Sequence, residues 1–358
     1  MSKLKPSNNL SKRKAISKKK RQRRKLIFTI VAMILLLVLL IVVFAFSKLN
    51  KLHSIKIEMD DLKTNELDLN TQKGMKGYRT IAMFGLDNRS NGNFERGNSD
   101  TIIIASINKD TGEIKMASVY RDTYLDIGDD TFRKANAAYA TGGPQQAINM
   151  LNTNLDLNIT DYVAVDFNAL VKAIDLLGGV EIDVAPEEAV HLGGYIDEIA
   201  ELTGQDATNI SPGLQLLNGV QATAYARIRY TTGVDYKRTE RQRLVITKMF
   251  EKAKKANLMT LNGMLDEVLP QVSTSLSTTE LLGLVSQAAK YSMGENTGFP
   301  FASESGNVGS GSLGDVVIPI DLEANVVELH QFLYANDAYV ASDTVKGLSS
   351  TIHNNTGR

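Results

Sequence analysis

The chain has 358 residues, with 40 basic and 40 acidic side chains for a formal net charge of zero, and it contains no cysteine. Disulfides, thiolate metal sites, a cysteine nucleophile and a lipid-modified cysteine anchor are therefore excluded. The charge balance conceals an asymmetry: 12 of the basic residues lie in positions 1–25, which hold no acid, leaving 28 basic against 40 acidic residues beyond them.

The basic stretch stops where an apolar run begins. Leu26 to Phe46 is 21 residues long without a charge. As a helix rising about 1.5 Å per residue it spans roughly 31 Å, close to the hydrocarbon thickness of a bilayer. Arg21, Arg23, Arg24 and Lys25 flank it, so the positive-inside rule places the N-terminus in the cytoplasm. A cleaved signal peptide is the competing reading, but the run exceeds the usual apolar region of about 7–15 residues. The sequence thus predicts a cytoplasmic tail (1–25), one uncleaved transmembrane anchor (26–46) and a domain outside the cell membrane. The basic tail reads as a topology signal, with no nucleic-acid partner.

Residues 47–76 are polar with scattered apolar residues and no period, and read as an extracellular stalk. A folded domain is expected over 77–341. Arg79–Gly85 reads as a short buried strand. Thr101–Asn108 and Glu113–Tyr120 are β-rich runs separated by a turn, which is hairpin grammar. Residues 136–155 suggest a helix interrupted or started by Gly142-Gly143-Pro144. Phe167, Leu170, Val171, Ile174 and Leu177 make one apolar helix face, ended by Gly178-Gly179. A strand follows at Val180–Val184, then a partly helical excursion over 187–209. Arg238–Ala256 and Thr278–Ser292 read as amphipathic helices, 294–314 as a Gly- and Ser-rich loop, Val316–Ile320 as a strand and Glu323–Leu333 as a helix. Residues 342–358 read as a polar, loose tail. Together these predict an α/β domain whose central sheet is mixed and covered by helices.

The four histidines, His53, His191, His330 and His353, are scattered, with no metal-ligand or triad spacing. There is no phosphate-binding loop and no dinucleotide fingerprint. What stands out is arginine and aspartate at the ends of apolar strands: Asp87 and Arg89, Arg96 and Asp100, Arg121 and Asp122. Arg227 and Arg229 alternate within Tyr225–Tyr230, and if that stretch is extended both face one side. Arg238 and Gln242 are four apart on a predicted helix, on one face. Guanidinium groups grip phosphate oxygens in pairs, and two carboxylates can hold a hard cation such as Mg²⁺ that shares its shell with substrate phosphates. Taken singly, each such residue is ordinarily a solvated surface charge; the set suits a pyrophosphate.

Several pieces in series carry a resemblance. They are Phe84-Gly85-Leu86-Asp87-Asn88-Arg89, Asn98-Ser99-Asp100-Thr101, Val119 to Thr123, Lys134 to Tyr139 with Gly142-Gly143-Pro144, Leu176 to Asp183, Leu217-Asn218-Gly219, Ala224 to Arg229, and Asp235 with Arg238 to Gln242. In order and spacing, the stretch from about 78 to 250 resembles the LytR–CpsA–Psr family of cell-wall glycopolymer transferases. That family combines a short basic cytoplasmic tail, one helix and an extracellular domain.

The resemblance implies a mixed sheet with helices on both faces and an apolar tunnel for a lipid, lined by helices such as 167–177 and 244–256. It implies that Asp87 and Asp100 bind Mg²⁺, and that Arg89, Arg121, Arg227, Arg229 and Arg238 contact the pyrophosphate, with Gln242 beside them and Lys134 as a further member. The sequence departs from the family where an arginine usually stands two residues before the second metal-binding aspartate: Asn98 stands there, and the nearby arginine is Arg96. The implied activity is transfer of a glycopolymer from undecaprenyl pyrophosphate to the 6-hydroxyl of a peptidoglycan muramic acid, as a phosphodiester. Asp87 and Asp122 are both candidates for the base. A polyprenyl-phosphate-binding scaffold or regulator, and a polyprenyl-pyrophosphate hydrolase, are the alternatives.

Overall fold

The computed structural model describes residues 55–87, 94–229, 234–309 and 312–357. The expected tail and anchor lie outside them, and no helix among the described residues is long and apolar enough to cross a membrane. In chain order the elements are α1 (Leu69–Lys76), β1 (Tyr78–Leu86), β2 (Ser99–Asn108), β3 (Glu113–Val119), β4 (Tyr124–Asp126), β5 (Phe132–Lys134), α2 (Ala137–Leu155), β6 (Asp161–Val165), α3 (Phe167–Leu176), β7 (Val180–Val184), α4 (Pro186–Thr203) and β8 (Gly213–Leu217). There follow α5 (Gly219–Tyr225), α6 (Val234–Ala253), α7 (Leu258–Gly263), β9 (Val272–Thr274), α8 (Thr278–Gln287), β10 (Ser292–Phe299), β11 (Ser303–Gly306), β12 (Val316–Pro319), α9 (Leu322–Tyr334) and α10 (Asp343–Thr356).

Six strands form the central sheet in the order β10-β3-β2-β1-β6-β9. Pairing is antiparallel for β1–β2, β2–β3 and β6–β9, and parallel for β1–β6 and β3–β10. The sheet is therefore mixed, as expected. The alternation of side chains along a strand gives it two different faces. Ala82, Phe84, Leu86, Ile102 and Ile104 enter the main core, which α2, α9 and α10 cover. On the other face Met83, Ile103, Ala105 and Met116 meet Ile246 of α6. A separate apolar cluster joins α3, α4, α5 and the β7–β8 hairpin.

Local chemistry fixes α3, which matters for the site. Asp166 caps it by accepting from the Ala169 amide at 2.8 Å. Gly178 and Gly179 end it at φ of +76° and +78°, where a side chain would be strained.

Four expectations need correction. The part of the stalk that is described, 55–76, lies on the domain: Ile55, Ile57, Leu62 and Leu67 pack against the main core, and the Tyr162 hydroxyl donates to the Ile55 carbonyl at 3.1 Å. Ile55, Ile57, Leu62 and Leu67 lie before α1 on chain without regular secondary structure, which imposes no period on the sequence. The tail 342–358 contains α10, capped by Ser342 and burying Val345, Leu348 and Ile352; Ser, Thr and Asn dilute that narrow stripe in the sequence. The expected loop at 294–314 carries β10 and β11, Gly-rich strands with little sequence signal. Arg227 and Arg229 do not lie on a strand; they follow the C-terminus of α5 in a turn where the Arg227 amide donates to the Ala224 carbonyl at 3.0 Å.

Candidate active site

A cavity of about 660 Å³ lies between the second sheet face and helices α3 and α6. Met83, Ile103, Val163 and Val165 form its sheet wall; Leu170, Ala173 and Leu177 of α3, and Val245, Met249 and Ala253 of α6, form the rest of its apolar lining. At one end the lining turns polar: Asp87, Asp100, Arg121, Arg227, Arg229, Arg238 and Gln242. Seven of the residues singled out in the sequence thus share one cavity. They come from β1, β2, the ends of β3 and α5, and the first half of α6.

Asp100 is the hub. Its Oδ1 accepts from Arg121 Nη1 at 2.7 Å and its Oδ2 from Arg229 Nη2 at 3.3 Å. Its carbonyl accepts from Arg238 Nη2 at 3.3 Å. Burial works against the charge on Arg121, but Asp100 and Asp122 outweigh it and hold the guanidinium above its ordinary range. Arg238 is only 2% exposed and pairs with Asp235 Oδ1 at 2.8 Å. Burial lowers its pKa to about 10, with Asp235 opposing, so it remains a cation at neutral pH.

Several donors at this end are buried without a hydrogen-bond partner among the described residues: Arg238 Nε and Nη1, Arg227 Nη1 and Arg121 Nε. Buried donors are ordinarily satisfied, and a group of orphans marks a place for an absent acceptor. Arg227 is held by Glu198 at 3.1 Å and stacks 4.7 Å from the Phe167 ring centroid, at the entrance of α3. By contrast, Arg241 is neutralised by Glu188 at 2.7 Å and donates to the Ile228 carbonyl at 3.0 Å. It fastens the turn bearing Arg227 and Arg229 to α6.

Asp122 and Lys134 stand beside the cavity rather than in its lining; they pair at 3.1 Å, and Asp122 approaches Arg121 Nε at 3.4 Å. Arg96 is exposed and lines no part of the cavity. Arg89 lies outside the described residues. Asp87 Oδ1 is buried with no hydrogen-bond partner among the described residues, on the same cavity as Asp100. A hard cation between two carboxylates and a bound anion fits that orphaned oxygen. Sequence reasoning gave no role to Asp235, whose Oδ2 is also buried and unpartnered among the described residues. Its position three residues before Arg238 on a helix was the available signal.

The arrangement, a cluster of arginines on an otherwise apolar cavity between sheet and helices, has the chemistry to take an amphiphile: an anionic head against the arginines and an apolar tail against the lining. The chain belongs to the LytR_cpsA_psr family, whose model matches residues 41–297. It is 31% identical over 221 residues to the polyisoprenyl-teichoic acid–peptidoglycan teichoic acid transferase TagU of Enterococcus faecalis, covering 60% of this chain and 65% of that one. It is 28% identical over 195 residues to the corresponding transferase TagV of Bacillus subtilis, covering 53% of this chain and 48% of that one. The chain thus spans about half to two thirds of these relatives' lengths. The fold matches Bacillus subtilis YwtF (TagT) with bound octaprenyl pyrophosphate lipid at a TM-score of 0.55 and 19% identity, over 78% of this chain and 99% of that one.

Proposed function

We propose that the protein transfers a glycopolymer from undecaprenyl pyrophosphate to peptidoglycan, forming a phosphodiester on a muramic acid 6-hydroxyl. The observation that carries this is the set of orphaned guanidinium donors at the end of an apolar cavity. A pyrophosphate offers them several oxygens, and a polyprenyl tail matches the lining behind it. The relatives' names, teichoic acid transferases acting on peptidoglycan, support the same chemistry. The arginines bind and orient the two phosphates and offset the charge that develops as the acceptor hydroxyl attacks the sugar-proximal phosphorus. Asp87 and Asp100 would hold Mg²⁺. When bound, the ion adds charge neutralisation at the pyrophosphate. The run 26–46 would anchor the protein in the cell membrane by one pass, with the tail cytoplasmic and the domain facing the wall.

The test is incubation of the full chain with a synthetic undecaprenyl-pyrophosphate glycan, Mg²⁺ and peptidoglycan oligomers, with product masses measured. Glycan joined to oligomer, together with undecaprenyl phosphate, is the expected outcome. Free glycan phosphate would point to hydrolysis instead, and an unconsumed donor would remove the enzymatic reading.

A further inference from the structure

An arginine on a long flexible side chain serves a transition state only if its guanidinium is aimed beforehand. Of the arginines at the polar end of the cavity, Arg121 and Arg229 are held by Asp100, and Arg238 by Asp235 on its own helix. Arg227 is held differently, from three sides. Its Nη2 donates to Glu198 Oε1 at 3.1 Å. Its guanidinium carbon lies 4.7 Å from the Phe167 ring centroid and 6.0 Å from that of Tyr195. Its Nη1 is buried without a hydrogen-bond partner among the described residues. Arg227, Phe167 and Tyr195 line the cavity; Glu198, partly exposed, does not.

Glu198 belongs to a helix whose contacts converge on this turn. α4 buries Leu192, Ile196 and Ile199 in the apolar cluster it shares with α3 and α5. At 3.6 residues per turn, Glu188, Tyr195 and Glu198 fall on an adjoining stripe of the same helix. Glu188 accepts from Arg241 Nε at 2.7 Å, and Arg241 in turn donates to the Ile228 carbonyl between the two arginines. The Tyr195 hydroxyl accepts from the Arg229 amide at 3.3 Å. The first two members of the stripe thus fix the backbone of the turn, and the third fixes a guanidinium.

Resting on the transfer reading above, we propose that Glu198 is a positioning residue of the reaction. It holds one edge of the Arg227 guanidinium from outside the cavity, so that Nη1 meets the pyrophosphate already oriented. The Phe167 and Tyr195 rings limit the swing of the group between them. Two properties of Glu198 then act in opposite directions. Its hydrogen bond aims Arg227, which matters most as charge builds on the phosphate oxygens during attack. Its negative charge offsets part of the Arg227 charge and repels the pyrophosphate, which weakens binding. Removing the charge while keeping the hydrogen bond separates the two effects.

The test measures binding of an undecaprenyl-pyrophosphate glycan, single-turnover transfer and melting temperature on the full chain. It compares wild type with Glu198→Gln, Glu198→Ala, Arg227→Ala and the double variant. Glu198→Gln keeps an oxygen for Nη2, so its transfer rate should stay within about threefold of wild type while binding tightens. Glu198→Ala should lose roughly ten- to a hundredfold in transfer rate, the scale of a misplaced catalytic group. Its melting temperature should stay near that of wild type, because a partly exposed ion pair adds little stability. In the Arg227→Ala background the same change should cost less than about twofold, since Glu198 acts through Arg227. A Glu198→Ala protein that transfers at the wild-type rate overturns the assignment while leaving transfer intact. So does an equal loss in Glu198→Gln and Glu198→Ala, or a full further loss in the Arg227→Ala background, which would mark a general structural role. A wild type that binds the lipid pyrophosphate but releases no undecaprenyl phosphate overturns the transfer reading and this role with it.

Discussion

Two buried arginines three positions apart on α6 show how environment separates a site residue from a structural one. Arg241 is matched by Glu188 and a backbone carbonyl, so its charge is spent inside the fold. Removing it strands a buried carboxylate, which costs about 3–5 kcal/mol; Arg241→Ala should show a large drop in melting temperature. Arg238 keeps two open donors. Arg238→Lys retains the charge but not the planar fork, so the contact to phosphate should weaken by about 1.5–3 kcal/mol, or roughly ten- to hundredfold in donor affinity. Titration with a lipid pyrophosphate, after melting curves confirm folding, reads that loss. Equal affinity of Arg238→Lys and wild type would mean that the open donors do not face a phosphate.

At the scale of elements, α6 joins the two chemistries of the cavity. Arg238 and Gln242 supply its polar end, and Val245, Met249 and Ala253 continue the same stripe into the apolar part. Met249→Trp would fill the tail region without touching the arginines. It should cut binding of a long-chain lipid pyrophosphate at least tenfold while sparing a short water-soluble pyrophosphate; parallel loss of both would place the lesion elsewhere. The sequence showed this helix, α3 and the β2–β3 hairpin, because each repeats its pattern over several turns or residues. It did not show the turn after α5. Tyr225-Ala226-Arg227-Ile228-Arg229 alternates like a strand, yet it is held by Arg241 and by a Tyr195 hydroxyl 3.3 Å from the Arg229 amide, contacts that no local pattern encodes. Asp100 and Arg121 were readable as strand-end charges, but their meeting at 2.7 Å depends on β2 and β3 pairing. The open oxygen of Asp235 depends on what surrounds it, which spacing does not report.

For the whole molecule, the segments that read as stalk and tail meet the domain at one buried carboxylate. Asp156, which ends α2, accepts from Asn65 Nδ2 at 2.6 Å, the Tyr339 hydroxyl at 2.5 Å and the Ser342 amide and hydroxyl at 2.8 and 2.7 Å. Beside it His330 stacks on Tyr339 at 3.8 Å and shares a hydrogen bond with the Leu155 carbonyl at 2.9 Å. Burial depresses the His330 pKa from 6.5 to about 4. The folded state therefore favours the neutral ring, and that contribution is complete above about pH 6.5 and lost as pH falls toward 4. By pH 5 the loss is on the order of 2 kcal/mol. Melting curves from pH 7 to 4.5 should fall more steeply for wild type than for His330→Phe, which keeps a ring against Tyr339; identical slopes would assign the acid sensitivity to other groups.

The straight run of α6 along the cavity also makes it a ruler. From Arg238 to Ala253 the helix rises about 22 Å at 1.5 Å per residue. On the proposed reading, that rise is the length of helix wall open to a tail once its head is fixed. Each added prenyl unit within that depth should tighten binding. Units beyond it should add nothing, so affinity measured across a series of polyprenyl pyrophosphates should climb and then level off. Shortening the apolar stretch with Ala253→Trp should bring the plateau to a shorter chain without weakening the shortest members of the series.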